Sequence, residues 1–410
     1  MREFVLNCRS QAPFQDRRTW SAMSLWVLAF LIYGVFSQAV FSDIFPLHRS
    51  IFLVALLSVV VPLILFSARL PASAIALSLG VLLSGFLLFL YWGNPRYVAY
   101  GAYLIGAILL VVSARLAWVK HLVTFLTGFF SVVLVGGWGA VVLHAVGVGP
   151  LYTAPFLGAD ERTAFFFYTS FTNIDTGSYI RPSGIFDEPG SLSFYVCFLA
   201  ILRHFLDRNK KVTWFLLILG LVTASLAHVI YMVIHFLADF RFRQGLRSAR
   251  VVVGFVVVGV VFSLFMASPM GKELVSRFGV GQDDRLIAGD NRGPRFKGAV
   301  TAIADNGWEA VAFGIPMCMY DGVECRQKYG KINVNPAWPI AQKGIVGSWP
   351  YYALLSWLIV AGVAGGRAQW VLVGAALLLL QRPYLFYEGY SALLLLMVVV
   401  YLRYRIMTRT

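Results

Sequence analysis

The chain has 410 residues, of which 59% are hydrophobic and only 13% charged, and its mean hydropathy is +0.75. A soluble protein of this size carries about 25% charged residues, so a water-soluble globular fold is excluded. The net charge of +15 is strongly basic, yet the sequence shows no Walker loop, metal-spaced His/Cys set or Ser-His-Asp arrangement, and nothing in it points to nucleic acid as a partner.

From the N-terminus, a basic stretch, Met1 to Arg18, precedes a long apolar run with no small-residue cleavage site. It reads as a retained first helix rather than a cleaved signal peptide. Runs such as Ala72 to Trp92 and His121 to Val146 reach the roughly 20 residues that cross a hydrocarbon core. Backbone amides in lipid must be satisfied within the segment, and these runs lack the alternation of a barrel strand, so they predict helices. Spans are expected near 20–42, 51–68, 72–92, 98–114, 121–146, 184–202, 213–225, 226–238, 251–268, 345–364, 368–381 and 389–403. The segment 213–238 is long for one span and short for two, with Thr223-Ala224-Ser225 as a candidate polar turn. Charge decides between them. With twelve spans and both termini inside, inner segments hold 19 Lys/Arg against 4 Asp/Glu, and outer segments hold 15 against 15. That is the positive-inside bias, whereas a single span would put Arg241, Arg243, Arg247 and Arg250 outside.

The predicted fold is therefore all-α: a polytopic transmembrane bundle of about 12 spans with one large periplasmic loop forming a small helical cap. Its parts are a cytoplasmic segment 1–19, transmembrane helices in 20–268, the loop 269–344, and the last helices with a cytoplasmic tail in 345–410. The cytoplasmic face lies against anionic membrane lipid. Two external regions remain for chemistry, Gly147 to Arg181 and the large loop, which carries ten basic and eight acidic residues. Tyr168, Tyr179, Trp308 and Trp338 are either platforms for sugar rings or interfacial aromatics. Cys318 and Cys325 flank Asp321-Gly322 at a spacing that closes a turn in an oxidising compartment, while Cys8 and Cys197 are expected to be unpaired. His48, His144 and His228 fall near the external boundary and read as interfacial or packing residues.

The most specific stretch is Arg181-Pro-Ser-Gly-Ile-Phe-Asp-Glu-Pro-Gly190, which enters the sixth span. Charges at the mouth of a lipid-embedded helix usually mark substrate paths; the plainer alternative is an Arg181–Glu188 ion pair that anchors the helix end. A second stretch runs from Asn291-Arg292-Gly-Pro-Arg295-Phe296 through Asp305 and Trp308 to Gly314, and reads as a short helix with Arg292 at its mouth and Arg295 on its first turn. A third is Asn333-Val-Asn335-Pro-Ala-Trp338, followed by Gln342-Lys-Gly344-Ile-Val-Gly347. Arg382, in Gln381-Arg-Pro-Tyr, is a further cation at a helix end.

In this order the stretches resemble the bacterial O-antigen polymerase and O-antigen ligase superfamily, over about residues 120–400. The matching positions are Arg181, Gly184, Phe186, Glu188 and Pro189; then Arg292, Phe296 and Gly314; then Gly344 and Gly347. The Glu-Pro form looks like polymerases of the Wzy type. Ligases carry a His late in the large loop, where this chain has Asn333 and Asn335, and often Ser-Arg where it has Ser225-Leu226. The resemblance implies transfer of a growing glycan from undecaprenyl pyrophosphate to a hydroxyl of another lipid-linked repeat unit, with a chain-length regulator protein as a possible partner. Arg181 and Arg292 would clamp the pyrophosphate bidentately, assisted by Arg295 or Arg382. Asp187, Asn335 and Tyr179 complete the expected substrate-binding set. Glu188 is the expected base, with burial at the membrane mouth tuning its carboxyl, and Asp187 and Asp43 are its alternatives. No metal or other cofactor is required, because the arginines supply the positive charge. A ligase acting on lipid A core or protein, and a transporter of lipid-linked sugar, are the competing readings. Transport is disfavoured because the spans are nearly free of charge.

Overall fold

The computed structural model describes residues 17–33, 70–155, 163–173, 179–206, 208–239, 292–321, 323–387 and 389–407. The expected spans 51–68 and 251–268, the far part of 20–42, Cys8, Asp43, His48 and the Arg241 to Arg250 cluster lie outside them, as does the loop up to Asn291. Among the described residues the fold is mostly helical, with thirteen α-helices. The first four are α1 (Arg17–Leu31), α2 (Ala72–Trp92), α3 (Arg96–Val112) and α4 (Leu116–Ala145). Three short strands follow, β1 (Tyr152–Pro155), β2 (Thr163–Phe166) and β3 (Phe171–Thr172), paired antiparallel in that order. This sheet corrects the all-α expectation for the first external region. Its strands are four, four and two residues long, too short to carry a readable alternation.

Next come α5 (Pro189–Phe205), α6 (Lys210–Leu219) and α7 (Leu226–Asp239). The α5 helix starts later than the expected 184–202 because Pro189 opens it, where a missing N–H costs nothing. It is the central helix: every residue from Ser191 to Arg203 is buried, the polar Ser191, Ser193 and Arg203 among them. Between α6 and α7 the chain passes through a 3-10 turn, Gly220–Thr223, and the left-handed Ala224 (φ +43°), then reverses. Lys210 meets Asp239 at 2.9 Å, the Trp214 and His235 rings lie 5.5 Å apart, and His228 reaches the Leu217 carbonyl at 2.7 Å. The segment 213–238 is thus an antiparallel hairpin, turning where the polar triplet was expected to turn it.

The large loop contributes α8 (Arg292–Asp305), α9 (Gly307–Phe313) and α10 (Val323–Tyr329). They close on a small core of Ala299, Ala302, Ala310, Ile315 and Ile332 together with Cys318 and Cys325, which are joined as a disulfide. The last helices are α11 (Trp338–Ala364), α12 (Trp370–Gln381) and α13 (Ser391–Met407). The loop helices dock on α2 and α11. Ile315 N–H donates to the Ala341 carbonyl at 2.8 Å, and the Trp92 indole donates to the Phe313 carbonyl at 3.0 Å. The crossing is backbone against backbone: a Cβ on Gly314 (φ +81°) would lie 2.6 Å from the Gln342 carbonyl carbon, and one on Gly344 (φ +59°) 2.1 Å from the Ala312 carbonyl oxygen. Only glycine fits either position, and Gly344 breaks α11 there.

Three helices, α2, α4 and α11, are long and apolar enough to cross a membrane, and α3, α7 and α12 are shorter apolar helices. The outer face of α2 leaves Leu79, Leu83, Phe86 and Leu90 exposed. A continuous apolar surface of this kind belongs against lipid or protein rather than water.

Candidate functional site

The polar groups gather at the head of α5. Glu188, the residue before Pro189, holds an extended backbone and sends its carboxylate to Arg382, 2.7 Å away. Arg382 follows the last turn of α12 and is 7% exposed. Its guanidinium also donates to the Ser191 hydroxyl at 3.4 Å and to the Tyr384 hydroxyl. The Ser191 hydroxyl in turn lies 3.1 Å from Asp187 Oδ1 and 3.0 Å from the Tyr384 hydroxyl. One guanidinium, two carboxylates and two hydroxyls thus meet within the first turn of the central helix. Burial works against the Arg382 charge, but Tyr384 and the carboxylates of Glu188 and Asp187 outweigh it and raise its pKa. Burial pushes the Tyr384 phenol up to about 12, with Arg382 pulling against it, so its hydroxyl stays protonated as a hydrogen-bond donor at neutral pH.

Gly190 explains how the guanidinium comes so near. A Cβ there would lie 2.3 Å from Arg382 Nη2 and 2.9 Å from Cζ. Behind the cluster stands an aromatic wall: Tyr384 and Tyr390 have centroids 4.2 Å apart, and Phe194 and Phe186 pack on Tyr390. Such a wall keeps water from the inner side of the cluster, where fixed charges act most strongly.

Arg181 is buried as well, and its guanidinium donates to the Thr223 carbonyl (3.1 Å) and the Ala224 carbonyl (3.2 Å). It therefore caps the carbonyl end of the broken hairpin, as a cation at a helix C-terminus does. Tyr179 is 4% exposed and donates to the neighbouring Val222 carbonyl at 3.0 Å. Glu188 makes an ion pair with Arg382. His228 supports the same hairpin, with Nδ1 3.2 Å from the Ser193 hydroxyl and 3.4 Å from the Cys197 sulfur.

In the loop unit, Arg292 is the first residue of α8, and its side chain lies outside the described part. Arg295, one turn on, donates to the Asn333 side-chain oxygen at 3.0 Å. Asn335 spends its amide on backbone: its oxygen accepts from Ala337 and Trp338 N–H (2.9 and 3.1 Å), and its nitrogen donates to the Ile332 and Arg295 carbonyls (2.6 and 3.2 Å). It is the clip that joins α8 to the start of α11. Of the expected aromatics, Trp308 and Tyr168 are exposed, while Trp338 is buried and stacks on Tyr387.

Sequence reasoning missed Gly190, Ser191, Tyr384 and Lys343. Lys343 is 2% exposed, with its ammonium 3.5 Å from the Tyr100 ring centroid and 3.9 Å from that of Phe386. It makes no hydrogen bond among the described residues. It stands at a narrow cleft between α2, α3 and α11, lined by Leu88, Tyr97, Leu104 and Gly347, with a volume of about 20 Å³. The available signal was a lysine directly before a helix-breaking glycine at a point of membrane re-entry.

Comparison with family models, with curated proteins and with solved structures gives no match to this chain.

Proposed function

We propose that this protein is a membrane glycosyltransferase that polymerises lipid-linked oligosaccharide. In this reading it is a bundle of about 12 spans in a bacterial inner membrane, with both termini cytoplasmic and the head of α5 facing the periplasm. The donor is a growing glycan on undecaprenyl pyrophosphate, and the acceptor is a sugar hydroxyl of another lipid-linked repeat. The hydroxyl oxygen attacks the anomeric carbon, and the bond from that carbon to the phosphate oxygen breaks. The electron pair leaves with the pyrophosphate lipid, and the hydroxyl proton passes to a carboxylate, Glu188 or its neighbour Asp187.

The observation that carries the proposal is the buried Arg382 guanidinium, paired with Glu188 at the head of the buried central helix. A guanidinium is always charged and matches phosphate oxygens bidentately. Fixed in place before the reaction, it stabilises the charge that develops on the leaving group. In this reading Arg292 and Arg295 on α8 assist at the pyrophosphate, while Arg181 holds the hairpin break on which α5 leans. The cap over α2 and α11 shields the site and gives the saccharide a polar surface.

The test is deletion of the gene in its host, followed by gel analysis of surface glycan. Loss of a polymerase leaves single-repeat caps, restored to polymer by the native gene but not by Arg382→Lys or Glu188→Gln. Polymer stranded on the carrier lipid would make the protein a ligase. Repeats trapped on the inner leaflet would make it a transporter. Either result overturns the proposal.

A further inference from the structure

At the far end of α5, about 24 Å along the helix from Glu188 at 1.5 Å per residue, a second polar cluster joins two helices. His204 sits in the last turn of α5, and His235 and Asp239 lie one turn apart on α7. His204 Nδ1 is 3.4 Å from Asp239 Oδ1, His235 Nε2 is 3.8 Å from Asp239 Oδ2, and the three ligating atoms all lie within 4.8 Å of one another. The side chains are 11%, 1% and 10% exposed. We propose that His204, His235 and Asp239 bind a divalent transition-metal ion of the zinc class, tying α5 to α7 at this end of the bundle.

The orientation of the rings carries the argument. His204 Nε2 lies 2.9 Å from the Ala368 carbonyl, which only accepts, so that nitrogen bears the proton. In the neutral ring, Nδ1 then presents a lone pair to a carboxylate. His235 Nδ1 lies 3.0 Å from the Tyr231 hydroxyl, which is able to accept from it, and Nε2 is turned to Asp239. With both rings neutral and their remote nitrogens protonated, two lone pairs face one carboxylate, and a cation between them completes the arrangement. Metal-ligating histidines have this arrangement, with the remote ring nitrogen donating to a carbonyl or similar acceptor.

The distances suit a small ion. Tetrahedral zinc with bonds of about 2.0–2.1 Å sets its ligand atoms about 3.3 Å apart, so the 3.4 and 3.8 Å separations, and the wider ones of up to 4.8 Å, close by rotamer adjustment. Two imidazoles and a carboxylate form a three-ligand zinc set, with the fourth position left to water. Aromatic rings wall the cluster: Phe205 stands edge-on to His204 at 5.3 Å and Trp214 to His235 at 5.5 Å. Lys210, whose ammonium is 2.9 Å from Asp239 Oδ1, is the competing cation. Its side chain is 62% exposed on a flexible stem and free to swing into solvent when metal enters. Sequence reading found no metal set because the ligands come from two helices separated by the hairpin arm α6.

The test uses the full-length chain in detergent, purified with a non-histidine tag and stripped with chelator. Titration with cobalt(II) is expected to give a saturable visible absorption at one equivalent, abolished by zinc. His204→Gln and Asp239→Asn each weaken zinc binding by about tenfold or more, and zinc raises the thermal midpoint of the native chain but not of Asp239→Asn. Lys210→Ala keeps all three ligands, removes the competing ammonium, and is expected to bind zinc more tightly. Absence of a cobalt spectrum in the native chain, equal binding in both ligand variants, or unchanged or weaker zinc binding in Lys210→Ala overturns the proposal.

Discussion

Arg382 and its neighbours form a group in which the members are worth more together than apart. Taking a guanidinium out of water is expensive, and here the expense is offset by Glu188, Ser191 and Tyr384. Removing one partner of a buried pair typically costs about 3–5 kcal/mol, so Arg382→Met is expected to lower the thermal midpoint sharply as well as abolish activity. That variant cannot separate folding from function, but Gly190→Ala can. The added methyl meets the guanidinium end of Arg382, which shifts within its cluster at a stability cost of about 1–3 kcal/mol. Displacement of a catalytic group by roughly 1 Å costs about 100-fold in rate. The expected result is a well-folded protein with severely shortened glycan, read by thermal shift and gel together; full-length polymer would show that Arg382 does not act where Gly190 lets it sit. Lys343 predicts the opposite coupling. Its ammonium rests on two aromatic rings without a hydrogen bond, so Lys343→Met, similar in length, is expected to leave the thermal midpoint unchanged or raised while polymerisation falls. A lowered midpoint would mean that the cation–π contacts outweigh the cost of burying the charge.

Among the elements, the informative ones are those interrupted at defined places: α11 at Gly344 and the α6–α7 hairpin at Ala224. Sequence made the second interruption readable, because Thr223-Ala224-Ser225 breaks an apolar run and the charge bias requires a reversal. It also singled out Gly314, Gly344 and Gly347, but as motif positions without a physical reason. For Gly314 and Gly344 the reason is a crossing of two backbones distant in sequence, which no local pattern encodes; Gly347 packs against the Leu88 and Lys343 side chains. The Arg181 assignment shows the same boundary: a cation beside a helix mouth was legible, yet whether it turns to Glu188 or to the Thr223 carbonyl depends on where another hairpin packs. Gly314→Ala combines a left-handed φ with a 2.6 Å backbone clash, and strain and overpacking together predict a loss of about 3 kcal/mol. Limited proteolysis should then cut within 292–329 while the apolar helices stay protected. The disulfide spans only seven positions, so replacing both cysteines by serine is expected to cost about 2–3 kcal/mol, seen as faster hydrogen exchange in α10 and the turn before it. Equal exchange in the double variant would assign cap stability to the Ala299, Ala310 and Ile332 core instead.

For the whole molecule, the central helix fixes two opposite ends. At one lie Glu188, Arg382 and, across α11, the loop helices; at the other lie His204, Lys210 and Asp239. Composition and hydropathy were enough to read a membrane protein with helical spans, because lipid imposes one rule on every segment. The short strands β1 to β3 were not readable, since their pairing rests on contacts between segments only a few residues long. In the topology proposed from the positive-inside bias, the cluster at Lys210 lies in the cytoplasm and the cap outside. Single cysteines test this directly in a background where Cys8 is serine, Cys197 is buried and Cys318 and Cys325 are paired. Val323 is 72% exposed in the cap, and Lys210 is 62% exposed at the other end. A membrane-impermeant maleimide added to intact spheroplasts is expected to label Val323→Cys at once and Lys210→Cys only after permeabilisation. Labelling in the reverse order would put the Glu188–Arg382 cluster on the cytoplasmic side, out of reach of a glycan assembled outside, and labelling of both at once would mean that α5 does not run from one face of the membrane to the other.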